Sequence, residues 1–288
     1  MIVIALPDGQ HRILGFDPAN QKPDVPLTME QLRATSVRIT GSDFGMRDPV
    51  WLTRFGNATK VADRLRCGRV LLAGDAAHMH WPTGGIGLNL GIQDAVDLGW
   101  KLAAEVQNRA AEGLLDTYST DRRPVGAAAG AYTLAQTALI TATTPAGQAL
   151  RALTNDLLAT EPAVAKRIAA KTTAVDVAYQ QPDPDAHHLA GTRTPFSGVD
   201  DALFPALSHG RPVLLSLSDT ELPSAAAVAR SLGFMRDSSK LAGSGRSAWS
   251  EVKAAIVRPD GYVWWATNEV SDLDTTVARA LHALGTTF

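Results

Sequence analysis

Residues 69–106 constrain this chain more than any other stretch. They open with Arg69–Ala73 (RVLLA), pass through GDAAHMHWPTGGIGLN at 74–89, and end in a segment with apolar positions at Ile92, Ala95, Val96, Gly99, Leu102, Ala103 and Val106. The first run does not alternate, which suits a strand covered on both faces. The last has helical spacing from Asn89 onward, with Lys101, Glu105 and Asn108 on the expected wet side and Gly113 closing the segment. Between them lie Gly74, Gly84, Gly85 and Gly87. Bare backbone ahead of a helix lets amides approach a ligand with no side chain in the way. The first helical turn adds unpaired N–H groups and about half a positive charge. Such an end suits an anion or a developing negative charge. Asp75, at the strand tip, offers carboxylate oxygens to hydroxyl donors. The expected ligand carries polyol hydroxyls at one end and an electron-rich carbonyl edge at the other.

Other chemistries fit less well. Gly85-Ile86-Gly87 followed by Gly91 is close to a dinucleotide fingerprint, but the third glycine is one position late. A stretch containing Pro82 also separates these glycines from the strand, whereas the fingerprint needs a tight strand-to-helix turn. No GxxxxGK[ST] run occurs. His78 and His80 stand two apart with no third ligand nearby, so no metal site is read there. Asp75 read alone would be an ordinary turn cap. Arg122-Arg123 reads as a charge pair at a helix end or as a phosphate contact, and His187-His188 as a solvated pair. A flavin ring meets the requirements, because its pyrimidine edge takes up negative charge on reduction.

The remaining sequence predicts a mixed α/β chain. Ile2–Leu6 and His11–Phe16 flank Pro7-Asp8-Gly9, a strong hairpin signal. Thr28, with Gln31 three positions later, predicts a capping box at the head of a short helix. Val37–Thr40 and Val50–Phe55 read as strands. Residues 125–178 read as two or three helices broken at Pro145 and Pro162, and 181–200 as a Pro- and Gly-rich linker. Beyond it come a strand at Pro212–Leu217 and a helix at Ser224–Leu232. A hairpin of Lys253–Arg258 with Tyr262–Ala266 and a helix at Asp272–Leu284 follow. That order is close to the second half of a thioredoxin-like fold. Trp264 and Trp265 should face opposite sides of their strand. The expected organisation is a sheet-containing substrate and FAD-binding region over 1–180, the linker, and a thioredoxin-like domain over 201–288.

Composition narrows the function classes. The formal net charge of −2 gives no basic surface for nucleic acid or anionic lipid. No apolar run reaches the ~18 residues of a membrane span. The N-terminus lacks a basic lead, and the single cysteine, Cys67, forms no internal disulfide, which suits a reducing cytoplasm.

The string RVLLAGDAAHMHWPTGGIGLNLGIQDAVDLGWKLA resembles the second FAD motif of class A flavoprotein monooxygenases, above all the aromatic polyketide hydroxylases of angucycline and anthracycline type. Weaker likeness runs through WLTRFGNATKVADRLRCGRV, LLDTYSTDRRPVG, HHLAGTRTP and VRPDGYVWW. The resemblance implies FAD as cofactor, with Gly74 and Asp75 at the ribityl chain and Pro82 near the reactive face of the ring. It places the amides around Gly84, Gly85, Gly87, Leu88 and Asn89 at the pyrimidine edge. It makes the sheet at 1–55 part of the substrate wall, and it implies NAD(P)H as co-substrate and a small polycyclic aromatic substrate. The cofactor carries that chemistry, so no protein nucleophile is expected. Trp81 is larger than the family's residue beside the flavin, and the terminal unit has no cysteine pair for redox work. The family's opening strand–GxGxxG–helix unit and its middle DG motif have no counterpart here. The chain is therefore expected to be the C-terminal part of a monooxygenase, completed by a separate N-terminal half or working as a homo-oligomer. The alternative is a non-catalytic remnant, a binding or assembly subunit that holds no flavin. Flavin halogenases and some reductases share a similar strand–GD–helix motif; the likeness along 107–130 and 187–195 favours hydroxylation.

Overall fold

The computed structural model describes residues 1–18, 25–181, 183–195, 200–217, 233–236, 248–269 and 271–284. The chain opens with the expected hairpin, β1 (Ile2–Ala5) antiparallel to β2 (His11–Leu14). Gly9 takes φ +77° in its turn, and the Asp8 carboxylate accepts from Gln10 N–H. The capping box forms as read, and Thr28 starts α1 (Met29–Thr40). Val37–Thr40 is the last turn of that helix, not a strand. Its β-branched residues favour a strand only weakly, whereas the box propagates the helix until Gly41 ends it at φ +84°. Val50–Phe55 joins no strand either.

Short pairs follow. β3 (Lys60–Val61) pairs with β6 (His78–Met79), and β4 (Arg66–Cys67) with β5 (Val70–Leu71). Arg69–Ala73 thus yields only a two-residue strand, and Val70 is exposed rather than covered on both faces. It folds back on its predecessor across Gly68, at φ +59°, instead of entering a wide sheet. Next comes α2 (Gly87–Val106), starting two residues before Asn89. Then come α3 (Thr117–Ile140), α4 (Pro145–Thr160) and α5 (Pro162–Thr173). The breaks at Pro145 and Pro162 fall where expected. Each proline takes a first helical position, where its missing N–H costs nothing.

The C-terminal part contains α6 (Asp200–Leu207), β7 (Val213–Ser216), β8 (Gly233–Arg236), β9 (Ala254–Val257), β10 (Val263–Thr267) and α7 (Leu273–Ala283). The strands form one sheet in the order β10-β9-β7-β8, with β7 parallel to β8 and antiparallel to β9. Every residue of β7 and β9 is buried. On one face Leu214 and Ile256 meet Trp100 and Ala104 of α2 and Val277 and Leu281 of α7. On the other, Val213, Leu215 and Val257 meet Leu203, Leu207 and Trp249. The expected hairpin around Pro259-Asp260-Gly261 and the closing helix are both present. The helix expected at Ser224–Leu232 lies outside the described residues. Trp264 and Trp265 do not split between faces. A register shift between Val263 and Trp265 interrupts the alternation, and both rings pack half-buried against the same cluster.

Residues 189–193 contact neighbouring elements. Thr192 bridges Ala178, Arg193 bridges Tyr262, and Leu189 is buried with the sheet's second core. Gly191 makes the close approach possible at φ +80°. A Cβ there would stand 2.3 Å from the Tyr179 carbonyl oxygen. Gly191→Ala therefore forces the 178–193 backbone apart. It should lower stability by more than about 1 kcal/mol in urea unfolding, from the strained φ alone.

Candidate functional site

The 74–89 stretch folds into two 3₁₀ turns, Gly74–Ala76 and Thr83–Gly85, before α2. Glycine is needed at both. Gly74 takes φ +59°, Gly84 +74° and Gly85 +65°. The first turn lies hard against α2: a Cβ on Gly91 would stand 3.2 Å from the Gly74 Cα. Gly91 is thus a packing glycine, one turn into the helix. The turn presents Asp75 to solvent with no hydrogen bond or ion pair to any described residue. Ahead of α2, Ile86 in helical conformation gives no side-chain cap. Pro82, Gly84, Gly85, Leu88 and Asn89 are exposed, and a Cβ on Gly85 would meet nothing within 4 Å. The backbone at the head of α2 is thus accessible at Gly85, Leu88 and Asn89, while a Cβ on Gly87 would stand 3.5 Å from the His80 ring and one on Gly84 3.5 Å from the Gln136 side chain. The Trp81 ring packs on Phe55 at 5.3 Å between centroids, next to Pro82.

Buried charge fixes this loop. Asp94, one turn after Gly91, is fully buried. Its Oδ2 accepts from Gly74 N–H at 3.0 Å and meets His78 Nε2 at 2.5 Å, while its Oδ1 accepts from Arg122 Nε at 2.8 Å. Burial pushes the Asp94 carboxyl up; the His78 bond, Arg122 and the Gly74 amide outweigh it and hold it below the ordinary value of 3.8. Gly126 of α3 makes room for the His78 ring, to which a Cβ would come within 3.0 Å. His78 is thus a structural partner on β6, and His80 Nδ1 lies 3.0 Å from the Trp81 carbonyl. Arg122 is not at a helix end. It sits buried inside α3, and it also donates to Tyr179 Oη at 3.3 Å. His187 is half-buried rather than solvated, with Nε2 3.0 Å from Asn268 Oδ1.

A second cluster lies deeper. Lys101, expected on the wet face, is fully buried and donates to Asp97 and Asp121 at 2.8 Å each. Arg258 donates to Asp121 at 2.9 Å, to Asp97 at 2.5 Å and to Asp260 at 2.6 Å. Its guanidinium also lies 4.7 Å from the Tyr179 ring centre. Three carboxylates thus face two cations away from water. Burial pushes Asp97 up to about 7 against the pull of Lys101 and Arg258. Asp260 stays below its ordinary value, because Arg258 and a hydrogen bond from Asp97 outweigh its burial. One proton is retained between the two carboxyls. Periodicity gave no sign of Asp94, Asp97 or Arg122. Asp94, Asp97 and Lys101, three charges within the otherwise apolar span 87–104 of one helix, were the available signal.

An apolar cavity of about 310 Å³ adjoins the start of α2. Ile86, Asn89, Val125 and Tyr132 line it, with Lys171 and Asp176 from the end of α5 and the segment after it.

The chain is similar to known proteins. A family model described as an FAD binding domain matches residues 7–132, and one described as the C-terminal part of aromatic-ring hydroxylases matches 187–286. An uncharacterized aromatic compound monooxygenase of Bacillus subtilis is 41% identical over 282 residues, covering 93% of this chain and 54% of that protein. A rifampicin monooxygenase of Rhodococcus hoagii is 40% identical over 255 residues, 88% of this chain and 50% of its own length. The solved structure of CabE, an aromatic hydroxylase from angucycline biosynthesis, superposes with a TM-score of 0.82 at 33% identity. It covers 97% of this chain and 58% of that one. The chain spans about half the length of the curated relatives it matches.

Two outcomes test the buried charges. Asp94→Ala strips Arg122 of its carboxylate and should cost about 3–5 kcal/mol in denaturant unfolding, as for other broken buried pairs. The raised Asp97 carboxyl contributes stability that is fully present below about 3.8 and is lost as pH rises through about 7. The melting temperature should therefore fall as pH rises from about 4 to about 7 and level off above it. In Asp260→Asn two carboxylates face two cations, no proton need be held, and that pH dependence should flatten.

Proposed function

The chain belongs to the flavoprotein aromatic-ring hydroxylases, and on that premise we propose that it forms the flavin-facing part of an FAD-dependent monooxygenase acting on a polycyclic aromatic, polyketide-like substrate. The observation that carries the reading is the exposed backbone at Gly85, Leu88 and Asn89 at the head of α2, together with the solvent-facing Asp75 carboxylate. The residues fit the cofactor. Asp75 can accept from ribityl hydroxyls, with Gly74 setting the turn that presents it. The exposed backbone at Gly85, Leu88 and Asn89 would meet a flat ring edge, with Gly84 and Gly87, against the Gln136 and His80 side chains, at its flanks. The positive end of α2 would stabilise charge at that edge.

Bound FAD would supply the redox chemistry, reduction by NAD(P)H followed by transfer of one oxygen atom from O₂ to an electron-rich ring. This chain's residues would position and shield. Pro82, with Trp81 packed on Phe55, would wall one side of the ring and narrow the space for substrate. The cavity by Ile86 and Tyr132 adjoins the same helix end, and its volume falls at the lower end of small-molecule sites, about 300–1,000 Å³. The Asp94 node would keep the Gly74 turn in register with α2. The parallel pair β7–β8 followed by the antiparallel hairpin β9–β10 supports a thioredoxin-like reading of the C-terminal unit. Its part would be structural, since the only cysteine of the chain is Cys67.

Titrating FAD into the purified chain, alone and mixed with the uncovered half of a relative, tests this reading. Flavin fluorescence should be quenched, and Asp75→Ala should weaken binding about tenfold, the loss of one charge-assisted hydrogen bond. An absence of quenching in both mixtures would overturn the reading.

A further inference from the structure

The cavity beside α2 has a lining of its own. Of the residues read at the flavin only Asn89 belongs to it; Asp75, Pro82, Gly85 and Leu88 do not. Its walls are aliphatic, with Ile86 and Leu90 at the head of α2 and Val125 and Ala129 on α3. Aliphatic walls give water few partners, so the space favours an apolar occupant. A cavity of about 150 Å³ holds one benzene ring. This one, at about 310 Å³, has room for two fused rings. Part of the lining is polar: Tyr132, Lys171, Thr172 and Asp176. Thr172 Oγ1 donates to the Ile168 carbonyl at 3.0 Å. The 2.8 Å bond between Thr172 and Tyr132 therefore takes its hydrogen from Tyr132, whose oxygen is left as an acceptor. Lys171 uses one of its three N–H bonds on Asp176, at 3.1 Å, and keeps donors to spare. A ligand oxygen that meets both groups must donate to one and accept from the other, and a hydroxyl does both.

We infer that this cavity is a second ligand site, for a small hydroxylated aromatic of two fused rings, and that its occupant orders the head of α2. The coupling runs through the first turn of that helix. The Ile86 carbonyl accepts from Leu90 N–H at 2.9 Å, the first hydrogen bond of α2, and both residues line the cavity. A ring packed on these two side chains holds the turn closed, where a first turn with no side-chain cap would otherwise fray. Asn89, between them, lines the cavity with its side chain on the same turn. The site and its effect on α2 are properties of this chain and do not depend on flavin. One consequence does rest on the flavin reading: a ligand that stiffens the turn met by the ring edge should tighten FAD binding, and FAD should tighten the ligand by the same factor.

The test titrates 2-naphthol into the full, flavin-free chain by calorimetry and reads hydrogen exchange over 86–90. The expected result is saturation at one molecule per chain, with slowed exchange at Leu90. Ala128→Leu, at an exposed position of α3 that lines the cavity, should keep the wild-type circular dichroism and weaken binding about tenfold or more by filling the space. Ala131→Leu, exposed on the same helix but outside the lining, should leave binding unchanged. Lys171→Met should weaken it about fivefold, the loss of one hydrogen bond. No saturable binding, or binding that Ala128→Leu leaves intact, would overturn the site. Binding that leaves exchange over 86–90 unaltered would overturn the coupling to α2. No FAD is present, so a failed naphthol titration leaves the flavin reading standing, and a failed FAD titration leaves this site standing.

Discussion

The fold is organised around Arg258. Its guanidinium comes from the end of β9, in the C-terminal sheet. It reaches Asp97 on α2 and Asp121 on α3, elements far earlier in the chain. Lys101 closes the circuit from α2. Taking such charges out of water costs several kcal/mol each unless every partner is in place. Here Asp97 and Asp121 are shared between both cations, and Asp260 holds Arg258 from its own hairpin. The arrangement tolerates little sliding of the sheet against α2 and α3, because a shift that loses one contact strands a buried charge. The apolar contacts of Trp100 and Ala104 with Leu214 and Ile256 fill the same interface, but they are less demanding of register.

A second buried node extends that order to the candidate site. Asp94 lies one turn before Asp97 on α2, and through it the Gly74 turn, His78 and Arg122 are fixed to one another. Arg122 reaches Tyr179, whose ring stacks on Tyr262 at 4.1 Å between centroids. The position of Asp75 is thus linked by direct contacts to the C-terminal hairpin. A rigid frame beneath an exposed loop is what a ligand site needs, since the loop must offer free donors and acceptors without folding onto itself.

Much of this was legible in local sequence. The Asp8-Gly9 turn, the Thr28 box, the proline starts of α4 and α5, and the hairpin at Asp260-Gly261 each rest on a few neighbouring residues, and each formed. The strands expected at Val37–Thr40 and Val50–Phe55 did not. The extended strand expected at Arg69–Ala73 shrank to two residues. In these cases β propensity was the only signal, and a strand exists only if a neighbour pairs with it. The apolar spacing of 92–106 correctly announced a helix, but it assigned Ile92, Val96 and Leu102 to the core and Lys101 to water. Periodicity reports that two faces differ; it does not report which one the rest of this chain covers.

By itself the sequence determined where helices begin, where turns fall, and that residues 74–89 leave glycine-rich backbone beside a carboxylate at the head of a helix. Those features are set by torsional preference and by hydrogen bonds within a few residues, so they need no distant partner. The tertiary structure alone decided that Asp94, Asp97, Lys101 and Arg122 lie inside, that Asp97 keeps a proton toward neutral pH, and that Leu88, Ile92 and Val106 of α2 face outward. Burial, and the charge state that follows from it, depend on what a side chain meets across the fold. Here the decisive meeting is between Asp97 and Arg258, 161 positions apart.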